Sequence, residues 1–270
     1  MGKKRKSSAK SSGESAAIDK SASSHTAVNK SRFETFPLHL LPDKSDSKSS
    51  ANFKLQELFP GRVWAVPSFF TPKECQSWID FCESTAGFEY TAHPASKYIA
   101  HRECFRMQQS DARELSARIY RRLQGHILKR LQQETVDLFP PDRKIPLGCN
   151  PNLRVYKYEK GHSFGKHVDG STAIGEEGGD LLAGGSTEMT MLIYLSDCQG
   201  GATRFHSSSI SRASRTNGKP KKSSSFAFEP KIGALLLHVH GEHCLEHEAD
   251  PVLGGQKYVL RTDLVFGNSY

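Results

Sequence analysis

A histidine and a carboxylate two residues apart give the strongest chemical signal in this sequence. His167 and Asp169 lie in the run FGKHVDG, which predicts a short β-strand. Residues i and i+2 of a strand project from the same face, so the imidazole and the carboxylate can bind one ion together. Such a pair and a distant histidine form a facial triad that leaves iron open positions for substrate and oxygen. The sequence therefore predicts a metal site.

The third ligand is expected among four histidines that precede the last predicted strand: His238, His240, His243 and His247. The last of them is followed by a turn and then by a strand that carries Lys257 and Arg261. Even spacing places these two cations on one face of the strand. A dicarboxylate that chelates a metal through one end needs a positive partner for its far carboxylate. The pattern indicates a metal site with an acidic co-substrate.

A second pair, His238 and His240, also has strand spacing, and a cupin-type metal site could use it. Neither histidine has a cation at the expected distance. We therefore expect this pair to face solvent or to be satisfied within the core.

Three blocks of sequence resemble the prolyl 4-hydroxylase branch of the Fe(II)/2-oxoglutarate dioxygenases. They are NLRVYKYEKGHSFGKHVDGS, then MTMLIYLSD with GGATRF, then HEADPVLGGQKYVLRTDLVF. They cover roughly residues 150–270, with weaker similarity through PSFFTPKECQSWI. The resemblance implies a double-stranded β-helix, or jelly roll, with helical N-terminal support. It also implies Fe(II), 2-oxoglutarate and ascorbate as cofactors, molecular oxygen, and hydroxylation of a protein or peptide substrate.

The resemblance assigns roles by position. It implies that His167, Asp169 and His247 are the iron ligands and catalytic centre. Lys257 takes the place of the basic residue that anchors the far carboxylate of 2-oxoglutarate, and Arg261 is the alternative or second anchor. Three further residues are expected to line the co-substrate pocket: Tyr158, Tyr194 and Thr203. Relatives that halogenate lack the carboxylate ligand, so the presence of Asp169 favours hydroxylation.

The elements that must position these residues divide the chain into three parts. Residues 1–54 are rich in Ser and Lys, which predicts a disordered basic tail. One dioxygenase domain follows over 55–270, with helical support over about 55–145 and a β-rich core, typical of a jelly roll, over about 146–270. Thr71, Pro72 and Glu74 predict a helix start, and a second helix is expected over about 111–138. A mobile insertion is expected over about 206–225.

Composition limits the classes of protein. No apolar run approaches the length of a membrane span, and the basic N-terminus lacks the apolar stretch of a signal peptide, so we expect an intracellular protein, cytoplasmic or nuclear. Six scattered cysteines form no C-x-x-C pair, which argues against a zinc ribbon. Of the net charge of +8, residues 1–32 contribute +6 and residues 204–222 another +6, so the rest of the chain is acidic.

Two alternatives remain open at this point. The basic segments allow a dioxygenase that acts on nucleic acid, although a protein substrate is favoured. A non-catalytic nuclear adaptor with the same fold is the other, but a scaffold gains nothing from burying ionisable groups that cost solvation energy. The pattern does not indicate an oligomeric state.

Overall fold

The computed structural model describes residues 31–43, 53–123, 125–175, 181–207 and 224–268 of the chain. Three α-helices and two short 3-10 helices lie in these ranges: α1 Pro72–Ser84, α2 Arg113–Leu123, α3 His126–Thr135, and 3-10 turns at Leu38–Leu40 and Gly241–His243. The strands of the first half are β1 Ser31–Arg32, β2 Gln56–Phe59, β3 Val63–Val66, β4 Thr85–Ala86, β5 Glu89–His93, β6 Arg102–Gln109 and β7 Ile145–Cys149. The strands of the second half are β8 Leu153–Tyr158, β9 Phe164–His167, β10 Ser186–Tyr194, β11 Gln199–Gly200, β12 Thr203–His206, β13 Ser225–Phe228, β14 Leu235–Val239, β15 Glu246–Ala249, β16 Val252–Gly254 and β17 Lys257–Gly267.

One antiparallel sheet contains most of these strands, in the order β13-β12-β15-β9-β6-β8-β17-β10-β14-β3-β2. The sheet curls so that its two arms face each other. Phe205 of β12 packs edge-on against His238 of β14 with ring centroids 5.5 Å apart, and Phe226 of β13 stacks on Phe59 of β2. This closure is the predicted jelly roll with flanking helices. The predicted metal ligands His167, Asp169 and His247 line a pocket between the arms.

Alternation along β10 explains why one side of the sheet holds the site and the other holds the helices. Met191 and Ile193 belong to the main hydrophobic core, together with Trp78 of α1 and Ile119 of α2. Thr190 points to the opposite side and lines the pocket between the arms. The helices therefore support the site from behind.

The predicted start of α1 is confirmed. Thr71 caps the helix by accepting a hydrogen bond from the amide of Glu74, whose carboxylate accepts one from the amide of Thr71. The predicted second helix over 111–138 is wrong as a single element. It is divided into α2 and α3 because Gly125 has φ +93°, a conformation that breaks an α-helix.

The first boundary also differs from expectation. Residues 31–43, which we assigned to the disordered tail, pack on the domain because Phe36, Leu40 and Leu41 bury against the core beside Trp78. The remainder of the predicted tail, residues 1–30 and 44–52, and residues 208–223 of the predicted insertion lie outside the described residues.

The predicted helical support contains strands as well. β5 and β6 form a hairpin within 55–145, and β6 pairs with both β8 and β9, so it extends the sheet next to the site. Sequence reasoning also missed β15, a four-residue strand that carries His247. Within the part of the chain that the structure describes, no helix is both long enough and apolar enough to span a membrane.

Candidate metal centre and co-substrate pocket

Two neighbouring strands bring the predicted metal ligands together. His167 is the last residue of β9 and Asp169 follows it, while His247 lies directly opposite His167 in the β15–β9 register. Nε2 of His167 is 3.9 Å from Oδ1 of Asp169, and Nε2 of His247 is 3.8 Å from Oδ2. Ligand atoms of the three residues all lie within 4.8 Å of one another. The structure thus places these three side chains around one point.

Backbone carbonyls orient both imidazoles. Nδ1 of His167 donates to the carbonyl of Gly165 at 2.8 Å, and Nδ1 of His247 donates to the carbonyl of Leu245 at 2.9 Å. Because a carbonyl only accepts, each Nε2 is left with its lone pair directed to the centre. Burial lowers the pKa of His167 to about 4, with a further contribution from His247, and burial likewise lowers the pKa of His247. Both rings are therefore neutral and able to coordinate a metal at neutral pH.

Asp169 is held ionised by its surroundings. Burial opposes its negative charge, but Arg261, whose Nη2 lies 3.2 Å from Oδ2, together with His238, His247 and the Thr190 hydroxyl outweighs that effect and keeps the pKa of Asp169 well below its usual value. Thr190 donates its hydroxyl proton to Oδ2 at 2.7 Å. The backbone amide of Asp169 donates to Sγ of Cys244 at 3.4 Å. The carboxylate is thus fixed in position and in charge, as a metal ligand requires.

The two histidines of the second predicted pair have different surroundings. For His240 the expectation is met at Nδ1, which donates to the carbonyl of Thr187 at 3.0 Å, while Nε2 lies 2.7 Å from Oγ1 of Thr190, whose single proton is given to Asp169. For His238 the expectation is wrong. This side chain lines the same pocket as His247, and its ring centroid lies 4.5 Å from that of His247.

Lys257 is a buried cation at the other end of the pocket. Its Nζ donates to the carbonyl of Gly201 at 2.6 Å and lies 5.3 Å from the ring of Tyr158 and 5.5 Å from that of Tyr194. Burial lowers the pKa of Lys257 to about 8, against weaker opposing contributions from Cys198, Asp250 and Glu229. Among the described residues, no carboxylate forms an ion pair with this ammonium group.

Arg261 shares a face of β17 with Lys257 but is already paired. Its guanidinium contacts the carboxylates of Asp169 and Asp263 and the hydroxyl of Thr190. It lies beside the metal ligands, at the opposite end of the pocket from Lys257. Arg261 is therefore paired with carboxylates, whereas Lys257 is not, a difference that the sequence could not show.

The three other predicted pocket residues are close to Lys257. Tyr158 lies opposite Lys257 in the β17–β8 register and lines the pocket, and burial raises its pKa. Thr203 also lines the pocket. Tyr194 lies behind Thr203, and their hydroxyl oxygens are 2.7 Å apart. Tyr194 therefore supports the wall through Thr203.

Sequence reasoning missed Arg102, which lies on β6. Its guanidinium carbon is 3.8 Å from the ring centroid of Phe164, and Phe164 in turn stacks on His167 with centroids 3.8 Å apart and an interplanar angle of 22°. The arginine, the phenyl ring and the imidazole form one stack that limits rotation of the His167 side chain. No motif indicated this contact, because β6 is far from β9 in sequence.

Comparison with known proteins gives one family match and several similar solved structures. Residues 153–262 match the family described as the 2OG-Fe(II) oxygenase superfamily. No curated protein matches the sequence. Among solved structures, the chain is similar to the viral collagen prolyl hydroxylase of Paramecium Bursaria Chlorella virus-1 in complex with 2-oxoglutarate, at 13% identity and a TM-score of 0.45, over 76% of this chain and 96% of that one.

Two other prolyl hydroxylases show comparable similarity. The prolyl-4-hydroxylase of Pseudomonas putida has 13% identity and a TM-score of 0.43, with 76% of this chain and 92% of that chain covered. A prolyl hydroxylase of Trichoplax adhaerens, in complex with a hypoxia inducible factor oxygen degradation domain peptide fragment, has 13% identity and a TM-score of 0.48, with 77% and 84% covered.

Proposed function

We propose that this chain, whose residues 153–262 match the 2OG-Fe(II) oxygenase superfamily, is a 2-oxoglutarate-dependent dioxygenase that hydroxylates a protein substrate in the manner of a prolyl 4-hydroxylase. We assign the Fe(II) to His167, Asp169 and His247. Bound iron and 2-oxoglutarate supply the oxidising chemistry, while the chain binds, orients and shields them.

The donor set fits this metal. Two neutral imidazoles and one carboxylate are the ligands of non-haem Fe(II) oxygenases, and such a set leaves coordination positions open on one side of the ion. Both Nε2 atoms are aimed inward because both Nδ1 atoms are engaged with backbone carbonyls. Arg261 and Thr190 hold the carboxylate from behind. The surrounding residues thus fix the orientation of the three proposed ligands in the metal-free protein.

The observation that carries the co-substrate assignment is the buried ammonium group of Lys257. A buried cation without a carboxylate partner is costly, and an anionic ligand would remove that cost. Lys257 lines the same pocket as the metal ligands, next to Tyr158 and Thr203. We assign Lys257 as the anchor of the far carboxylate of 2-oxoglutarate, and Arg261 as a support of Asp169.

Exposed apolar side chains favour a peptide as the substrate. Val168, between the two ligands on the β9 side, is 57% exposed. Tyr98 and Ile99 are 85% and 56% exposed in the loop before His101, and the carbonyl of His101 accepts a hydrogen bond from the amide of Gly165 at 2.7 Å, which ties that loop to β9. Apolar groups in such a position suit the side chains of a polypeptide better than a phosphate backbone.

The nucleic-acid alternative rests on the two basic segments. In the part of the second segment that the structure describes, Arg204 is paired with Asp250 through two contacts of 2.5 and 3.1 Å. A paired arginine contributes little to binding a polyanion. Arg204 therefore gives the nucleic-acid alternative little support.

The substrate class is tested with purified protein, Fe(II), ascorbate and 2-oxoglutarate. Proline-rich peptides and single-stranded oligonucleotides are added in separate reactions, and succinate and the mass of the added molecule are measured. We expect a peptide to raise succinate formation and to gain one oxygen atom. Stimulation by an oligonucleotide that weakens steeply with salt would replace the peptide proposal with the nucleic-acid alternative.

A further inference from the structure

His238 is fully buried beside the metal ligands, yet neither of its ring nitrogens has a hydrogen-bond partner among the described residues. A neutral imidazole always presents one N–H donor and one lone pair. Leaving both unsatisfied in a buried place costs the desolvation free energy of each group. A polar side chain in this situation indicates a ligand that satisfies it when the site is loaded.

The position of His238 identifies that ligand. Its Nε2 lies 3.7 Å from Oδ2 of Asp169, almost the same distance as Nε2 of His247 at 3.8 Å. Two imidazole nitrogens thus approach the same carboxylate oxygen. The edge of Phe205 packs against the His238 ring and limits its movement away from the centre.

The alternative partners of His238 are already engaged. Thr190, its neighbour across the β10–β14 pairing, donates to Asp169. Cys244, which could join His238 and His247 in a different metal set, accepts from the amide of Asp169 and donates to the carbonyl of Leu245 at 3.5 Å. The lone pair is thus left for an ion at the three proposed ligands, which the ring reaches only by shifting, since His238 is not among the ligand atoms that lie within 4.8 Å of one another there.

We propose that His238 is an exchangeable fourth protein ligand of the metal, bound when 2-oxoglutarate is absent and released when it binds. The proposal rests on the metal assignment made under the proposed function.

Release follows from the number of positions on the ion. With a metal bound, His167, Asp169 and His247 would leave positions open for the keto-acid end of 2-oxoglutarate and for oxygen. A permanent fourth protein ligand would occupy one of these positions. His238 would thus occupy one coordination position of the metal in the resting protein and would leave it only when the co-substrate binds.

The first test is X-ray absorption of the Fe(II) protein under anaerobic conditions, which counts coordinated imidazoles. We expect three imidazoles without 2-oxoglutarate and two with it. His238→Phe, which keeps a ring against Phe205 and removes both orphaned nitrogens, should give two in both states. Two imidazoles in the unmodified protein under both conditions would overturn the proposal, whether or not the variant folds.

The second test is the affinity for Fe(II), measured by competition with a chromophoric chelator. His238→Phe should weaken Fe(II) binding about tenfold or more without 2-oxoglutarate and leave it nearly unchanged at saturating 2-oxoglutarate. A purely structural role would change both affinities together. His243→Gln, from the same histidine cluster but outside the pocket, is the matched control and should match the unmodified protein.

Failure of the metal assignment gives a different result. In that case His167→Ala would bind Fe(II) as well as the unmodified protein. If His167→Ala loses the metal while His238→Phe binds it normally without 2-oxoglutarate, the three-ligand assignment stands and the role of His238 is refuted.

Discussion

The guanidinium of Arg261 lies 3.2 Å from Oδ2 of Asp169, and this contact separates the roles of the two cations on β17. Arg261 neutralises a carboxylate that the chain itself provides. Lys257, four residues earlier, has no such partner among the described residues and faces the pocket. One cation thus pairs with the proposed metal ligand, and the other is left for the proposed co-substrate.

Removing each charge separately tests this division. Lys257→Met should raise the KM for 2-oxoglutarate about 100-fold, since the loss of one partner of a buried charge pair costs about 2–5 kcal/mol. Arg261→Met should instead weaken Fe(II) binding about 10- to 100-fold, because the carboxylate of Asp169 loses its support. Steady-state kinetics at saturating Fe(II) and chelator competition measure the two effects. The reverse pattern would make Arg261 the anchor.

The pH dependence of co-substrate binding follows from Lys257. Its pKa is lowered to about 8, so the free protein loses this charge as the pH rises through that value. The Kd for 2-oxoglutarate should therefore be constant below about pH 8 and rise about tenfold per pH unit above it. Lys257→Arg, which stays charged, should remove the rise. The measurement is isothermal titration of the metal-loaded protein without oxygen, and a flat wild-type profile would contradict the account.

Thr190 offers a test of how the carboxylate ligand is held. Thr190→Val keeps the shape of the side chain but removes the hydrogen bond to Asp169, so Fe(II) affinity should fall about tenfold or more. Thr190→Ser retains the hydroxyl and should bind Fe(II) nearly as the unmodified protein does. Competition with a chromophoric chelator measures the Fe(II) affinity of both variants. Equal affinities for the two variants would show that the hydroxyl does not support the ligand.

Arg102 is expected to act through Phe164 on His167. Arg102→Ala removes the cation that covers the phenyl ring, so the imidazole behind it gains freedom. We expect weaker Fe(II) binding by several-fold with an unchanged KM for 2-oxoglutarate at saturating metal. Kinetics and metal titration of the same preparation separate the two quantities. A change in KM alone would instead place Arg102 in contact with the co-substrate.

Much of the site could be predicted from short patterns. The strand that holds His167 was evident from local sequence, and the family resemblance indicated His247 and Lys257. The strand around His247 was not evident from local sequence. β15 is short, lacks the β-branched residues that mark strands, and forms through pairing with β9 and β12. Tertiary pairing, which no local pattern encodes, determines that these residues form a strand.

Two other differences have the same origin. The orientation of His238 depends on the curl of the sheet that brings β14 to face β15, so spacing alone could not distinguish it from His240. Residues 31–43 follow a polar segment, but their Phe36, Leu40 and Leu41 pack against an apolar surface of the domain. A segment that could not fold alone is ordered by the core it covers.

The most direct test of the central claim measures succinate formed from 2-oxoglutarate by the Fe(II)-loaded protein. His167→Ala, Asp169→Ala and His247→Ala are compared with His243→Ala, which alters the same histidine cluster outside the pocket. The account predicts that His243→Ala keeps the turnover of the unmodified protein and that each of the other three variants loses both turnover and bound iron. Iron-dependent turnover that survives in any of those three would contradict the assignment of the metal centre.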